Sequence, residues 1–343
     1  MVPTAPRGFP FRAGAALVAL SFLTAEYMSG NVPFPRILFP PVVLFLILGY
    51  GFPLLLIREA IVRWRLGGPG MLLLGGAYGL VNEGLLAKTL TLKTGVPIGL
   101  FDGMALAFGI HVPWALFILA YHLCASVALP LLAVRVLFPA EADRPWLSPR
   151  AIWAVSALTL LFCSAVYFLG KDPHPPGKPA HFAFYLAAIG ALLAASHRLA
   201  RAREHRAANS TGGLLSATET PAPGSNVLRT FLSGTLAAVL VFPATLIFLT
   251  KARPTAILFS GVFMAVFSLA VAWLARLSRR DPLKARLSFA LGITIPFCAL
   301  RVIAGFQRGR AIEGAVAALL FLAGTIFLLR RVQRGASAQT TDR

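Results

Sequence analysis

Three polar side chains, Asn82, Glu83 and Lys88, interrupt an apolar stretch long enough to cross a bilayer. A charge at membrane depth costs about 2.5–3.5 kcal/mol on insertion scales, so each one needs a partner or a use. Glu26, Asp102, His111, Tyr121, His122, Arg301 and Glu313 raise the same question in other apolar segments. Carboxylates and imidazoles so placed can carry protons or act as general acids and bases. Glu83 and His122 are the candidates for chemistry. Glu26, Asn82, Lys88, Asp102, His111, Tyr121, Arg301 and Glu313 are candidates for a substrate or ion pathway.

Spacing narrows the pairings. Glu83 lies roughly 20 Å from the basic end of its span, too deep to reach water by extending its side chain. Lys88 is about 7–8 Å farther out and is expected to snorkel to the surface. The two are about 140° apart around a helix, which makes them poor partners. Glu83 must therefore be protonated or meet a group of similar depth, and His122 and Arg301 qualify. Arg301 is also placed to pair with Glu313 across the turn between the last two spans. Glu26 either joins the same cavity as Glu83 or faces water. His111 and His122 would stand about 16 Å apart on one helix, too far to share a metal, and Pro113 interrupts that helix. Ser126, one turn beyond His122, is expected to bond its own backbone. Gly75 and Gly79 have the small-xxx-small spacing of close helix packing. A buried Glu–His or Glu–Arg pair can equally be a tie between helices with no further role.

The elements that position these residues are apolar runs. The 343-residue chain has only 13% charged residues and a mean hydropathy of +0.76. Runs of about 20 apolar residues identify an all-α polytopic transmembrane helical bundle. Ten spans are predicted, at about 14–31, 38–58, 70–92, 113–137, 151–169, 181–198, 228–250, 254–275, 287–306 and 311–330. The net charge of +20 could suggest nucleic acid, but its distribution follows the spans. Of the 32 Lys and Arg residues, 22 fall on one set of span ends and ten on the other set or in the outer halves of spans. That asymmetry places both termini in the cytoplasm and predicts a multi-pass inner-membrane protein. The expected partner is the lipid bilayer, not nucleic acid. Arg7 and Arg12 precede an apolar run without a good cleavage site, so an uncleaved first span is expected. With this orientation the polar residues above all lie in the outer half of the membrane.

Four regions follow. Residues 1–150 form an N-terminal bundle of spans one to four with a short outer re-entrant or interfacial segment at 99–112. Residues 151–206 carry spans five and six. Residues 207–226, rich in Ala, Gly, Ser, Thr and Pro, read as a flexible cytoplasmic linker. Residues 227–343 carry spans seven to ten and a short basic tail. Cys124, Cys163 and Cys298 all fall in apolar spans, as buried thiols do. The chain holds no Gly-x-x-x-x-Gly-Lys, no Rossmann fingerprint and no His-Glu-x-x-His, so no cofactor or metal is expected.

Glu83, His111 and His122 occur in an order that faintly resembles the CPBP-type intramembrane proteases, with their Glu-Glu-x-x-x-Arg and Phe-x-x-x-His motifs. Asn82 stands where the first glutamate is expected and Ala87 where the arginine belongs, and Phe108-Gly-Ile-His111 is one residue short. The resemblance spans about 40 residues and implies a Glu/His hydrolase. Three readings are therefore carried forward. The first is a transporter or permease with a polar site in the outer half of the membrane. The second is a membrane-embedded Glu/His enzyme. The third is a non-catalytic scaffold whose buried charges fix helix packing.

Overall fold

The computed structural model describes residues 8–91, 106–169, 178–210, 227–239, 256–277, 282–307 and 309–341. The architecture is all-α. Helix α1 (Phe11–Phe22) runs straight into a π-helical turn, π1 (Leu23–Tyr27). After a short α2 (Phe34–Ile37), α3 (Pro40–Leu46), π2 (Ile47–Gly51) and α4 (Phe52–Arg63) form one continuous rod. α5 (Gly68–Leu80) continues into π3 (Val81–Leu86). α6 (Val112–Tyr121), π4 (His122–Ala128) and α7 (Leu129–Leu137) form another rod. Then come α8 (Pro149–Leu169), α9 (Pro179–Ser210), α10 (Val227–Val239), α11 (Ala256–Leu277), α12 (Pro282–Gln307) and α13 (Ala311–Thr341).

Prolines open many of these helices, where the missing N–H costs nothing. Pro40, Pro69, Pro113 and Pro149 sit at such starts. Pro53 and Pro130 instead fall inside apolar rods, and each follows a π-turn. A proline within a helix donates nothing to the carbonyl one turn back and crowds it. Widening the preceding turn by one residue relieves the clash and leaves carbonyls to be satisfied from outside.

Among the described residues, Pro40–Arg63, Val112–Leu137, Pro149–Leu169, Pro179–Ala202 and Ala311–Arg334 are long and apolar enough to cross a membrane. The Val112–Leu137 rod is largely buried within the bundle, while the Pro40–Arg63 rod leaves Leu44 and Phe45 exposed. α8 lies on the outside and exposes Trp153, Leu160, Leu161 and Phe168, an apolar surface suited to lipid. α10 and α12 touch backbone to backbone. A Cβ at Gly234 would stand 2.3 Å from Phe289 O, and one at Gly292 2.2 Å from Phe231 O.

Two of the expected regions are described only in part. Within 99–112, residues 106–111 form a two-stranded hairpin, Leu106–Ala107 with Ile110–His111, in which Gly109 has φ +80°. The remainder of that segment, with Asp102, lies outside the described residues. α9 continues to Ser210 and so occupies the first four residues expected as linker, while 211–226 lie outside the described residues.

Candidate functional site

Three of the four π-turns among the described residues carry residues that the sequence singled out. Glu26 is in π1, Tyr50 in π2, Asn82 and Glu83 in π3, and His122 and Ser126 in π4. Their rods meet. Thr24 Oγ1 lies 2.6 Å from Ala125 O, and the Tyr121 hydroxyl donates to Ala25 O at 2.8 Å, binding π1 to the Val112–Leu137 rod. The Tyr78 hydroxyl donates to Gly49 O at 3.0 Å. Gly49 is four residues before Pro53, so this carbonyl has lost its helical donor. Ala125 is five residues before Pro130 and is satisfied from a neighbouring helix in the same way. In hydrocarbon such carbonyls need partners, and here the partners tie one rod to the next.

Close approach sets the centre of the site. A Cβ at Gly79 would meet Leu119 Cδ2 at 2.7 Å and His122 Cβ at 3.6 Å, and one at Gly75 would meet Leu123 at 3.3 Å. These glycines let α5 lie directly on α6 and π4. Glu83, one turn beyond Gly79, then reaches His122. The Glu83 Oε1 to His122 Nε2 distance is 2.7 Å. The other ring nitrogen, Nδ1, is 2.8 Å from Ser126 Oγ. The Thr89 hydroxyl donates to Glu83 Oε2, and Trp114 Nε1 donates to Thr89 Oγ1 at 2.9 Å. The result is one file of hydrogen bonds, Trp114–Thr89–Glu83–His122–Ser126. Thr89 is half-buried, whereas Glu83, His122 and Ser126 are buried.

Aromatic rings enclose the imidazole. Tyr50, Tyr78 and Tyr121 stand with ring centroids 6.3, 6.0 and 5.7 Å from it. Tyr50 donates its hydroxyl to Glu26 Oε1, so Glu26 joins the cluster through the ring that lies against His122. Asn82 Nδ2 donates to the Tyr78 hydroxyl at 3.1 Å. A carboxylate and an imidazole in contact inside a tyrosine cage can hold and pass a proton. Among the described residues, no three His, Cys, Asp or Glu side chains gather as a metal would require.

Other expected members go elsewhere. Lys88 does not snorkel outward. Its backbone turns at φ +56°, it is 2% exposed, and Nζ donates to Tyr167 O at 3.2 Å. Arg301 is not the partner of Glu83. Its Nη2 meets Glu313 Oε1 at 2.7 Å, and the same oxygen accepts Phe34 N–H at 2.8 Å. His111 is buried at the start of α6, and its strand packs against the Thr89–Thr91 turn. Ser126 reaches the His122 ring rather than serving its own backbone. Tyr50, Tyr78, Thr89 and Trp114 were missed, because hydroxyls and indoles pass as ordinary apolar-segment residues. Pro53 and Pro130, two prolines inside apolar runs, were the available signal.

A second polar network lies at the arginine-rich end. Glu59 meets Arg58 Nη1 at 2.7 Å and Arg63 Nε at 3.1 Å, and accepts Trp146 N–H at 2.7 Å. Arg58 Nη2 donates to Glu141 O at 2.7 Å and Arg144 O at 2.6 Å, with its guanidinium 3.7 Å from the Trp146 ring centroid.

In the comparison with known proteins, a family model described as an uncharacterized membrane protein family matches residues 15–334. No curated protein and no solved structure matches the chain. The match takes in every residue of the Glu83–His122 site and the helices above from most of α1 to most of α13, and the chain therefore belongs to this uncharacterized membrane protein family.

Proposed function

We propose that the chain is a ten-span inner-membrane protein of the transporter or permease kind, with both termini in the cytoplasm and a proton-carrying site in its outer half. The file Thr89–Glu83–His122–Ser126 carries this reading. It begins at a half-buried hydroxyl and ends at a buried one. Each link joins groups that can exchange a proton, and buried Glu and His in membrane helices are the usual parts of proton relays. The π-turns support it further. Two of them interrupt rods and two end helices where the site sits, and interrupted helices are where transporters place binding groups.

The contacts at the other end support the orientation. Arg331 Nη2 donates to Leu137 O at 3.0 Å, and Arg58 and Arg63 reach the carbonyls of 141, 144 and 147. The basic ends of three rods thus share one side, as cytoplasmic ends do.

Nitrogen-edited spectra of the His122 ring in sealed vesicles test the proposal. His122 protonation should follow the pH of the outer solution in the wild type and stop doing so in Glu83→Gln. A ring that ignores outer pH while the protein remains folded would overturn it. The Glu/His hydrolase reading keeps one specific observation, the carboxylate–imidazole–hydroxyl order of Glu83, His122 and Ser126, which is how a serine is activated. Covalent labelling of Ser126 by a fluorophosphonate, lost in His122→Gln, would favour it.

A further inference from the structure

The file Thr89–Glu83–His122–Ser126 leaves Glu26 unused, although Glu26 stands in the same cluster. Thr24 and Ala25, just before it, are bonded to Ala125 O and to the Tyr121 hydroxyl, which sets Glu26 beside π4. Tyr50 donates its hydroxyl to Glu26 Oε1. The ring of the same tyrosine lies 6.3 Å from the His122 ring and is tilted by 33° to it. Beyond π1 the chain turns back at Gly30, where φ is +82°. Asn31 N–H and Val32 N–H then both reach Glu26 O, at 3.1 and 3.3 Å. The turn also brings the exposed Asn31 side-chain amide to the Glu26 carboxylate. Glu26 is half-buried, whereas Glu83 is buried with its two oxygens bonded to His122 and Thr89.

We propose that Glu26 is a second proton-binding residue of this site, loaded from water at Asn31, so that the site takes up two protons and not one. This role rests on the proton-carrying site proposed above. Two carboxylates and a neutral imidazole carry two negative charges. One proton shared between Glu83 and His122 leaves one negative charge, and a second proton on Glu26 leaves none. A net charge is costly within hydrocarbon, so the neutral cluster is the one that holds both protons. In the second step a hydronium ion gives its proton to the Glu26 carboxylate and leaves as water. Asn31 suits both forms, since its NH2 donates to the carboxylate and its carbonyl accepts from the acid. The charged and titratable groups around Glu26 are Tyr50, Tyr78, Tyr121, Glu83 and His122. Arg301 stands beyond Tyr27, its guanidinium 5.8 Å from that ring centroid, and is paired with Glu313, so the two together add no net charge.

Glu26 and His122 interact through charge, and their titrations therefore belong to the pair. Nitrogen-edited spectra of His122 in sealed vesicles, taken over a range of outer pH, should show two inflections, the protonation of the ring and a smaller change as Glu26 loads. Glu26→Gln keeps the Tyr50 bond, because the amide carbonyl accepts in place of the carboxylate. It should leave one inflection and move its midpoint about one unit lower, the lower end of the effect of a neighbouring opposite charge. Infrared difference spectra should show a protonated-carboxyl band at low outer pH that is missing from Glu26→Gln and present in Glu83→Gln. Asn31→Leu, at an exposed position, carries the test if Glu26→Gln does not fold. It removes a donor to the carboxylate, so the Glu26 band should appear at higher pH. A single His122 inflection with the same midpoint in wild type and Glu26→Gln would overturn the role of Glu26 and leave the Glu83–His122 file standing. The same holds for a carboxyl band that Asn31→Leu does not move. A His122 ring that ignores outer pH in both proteins would remove the file and the role of Glu26 together.

Discussion

Replacing Glu83 by Gln and by Ala separates the bonds of the site from its charge. Glu83 is 7% exposed, and its two carboxylate oxygens have different partners, His122 Nε2 and the Thr89 hydroxyl. Alanine leaves the buried His122 Nε2 and the half-buried Thr89 hydroxyl without their carboxylate partner. Each such group costs about 1–3 kcal/mol, and removal of one member of a buried pair costs about 3–5 kcal/mol. Glu83→Ala should therefore lose about 3–5 kcal/mol. Glutamine keeps the shape. Its carbonyl can accept from Thr89, whose oxygen still accepts from Trp114. Its amide must then donate to His122 Nε2, which moves the ring proton to Nδ1 and reverses the bond to Ser126. The site stays satisfied, at a cost of about 1 kcal/mol. Unfolding in mixed micelles followed by tryptophan fluorescence measures the energies. Nitrogen shifts of His122 report the tautomer. Equal destabilisation by Gln and Ala would refute the bond-by-bond reasoning and show that the charge itself holds the site. A Glu83→Ala protein as stable as wild type would refute the buried pair.

Two further outcomes test the frame around the site. Gly234→Ala or Gly292→Ala should cost about 1–3 kcal/mol, as overpacking does, because each new methyl would stand 2.2–2.3 Å from a carbonyl of the facing helix; Gly261→Ala, with nothing within 4 Å, is the control in the same unfolding assay. Arg301→Met should lose about 1–3 kcal/mol by leaving the half-buried Glu313 with Phe34 N–H but without its cation, and Arg301→Met/Glu313→Gln should recover much of that loss, read as a coupling energy in a double-mutant cycle.

The membrane class, the helical runs and the polar positions were legible because hydropathy and charge are properties of a segment by itself. The positions of Glu83 and His122 along their helices could be counted in residues, since each adds a fixed rise. The pairing of Arg301 with Glu313 was also within reach, because a short turn leaves their helices few ways to lie. The Lys88 contact was not. It depends on a left-handed turn that folds the side chain inward to Tyr167 O, and a hydropathy profile contains no such bend. Nor was the Arg58–Glu59–Trp146 network, which brings together residues almost ninety positions apart.

The sequence alone determined which residues lie within apolar helices and how far along its helix each one stands. The tertiary structure alone decided that Glu83 meets His122 and not Arg301, that His122 turns its second nitrogen to Ser126, and that tyrosines from three rods enclose the pair. The reason is rotational. One residue of helix turns a side chain by about 100°, so a single π-turn changes which neighbour it faces while leaving its depth and hydropathy almost unchanged.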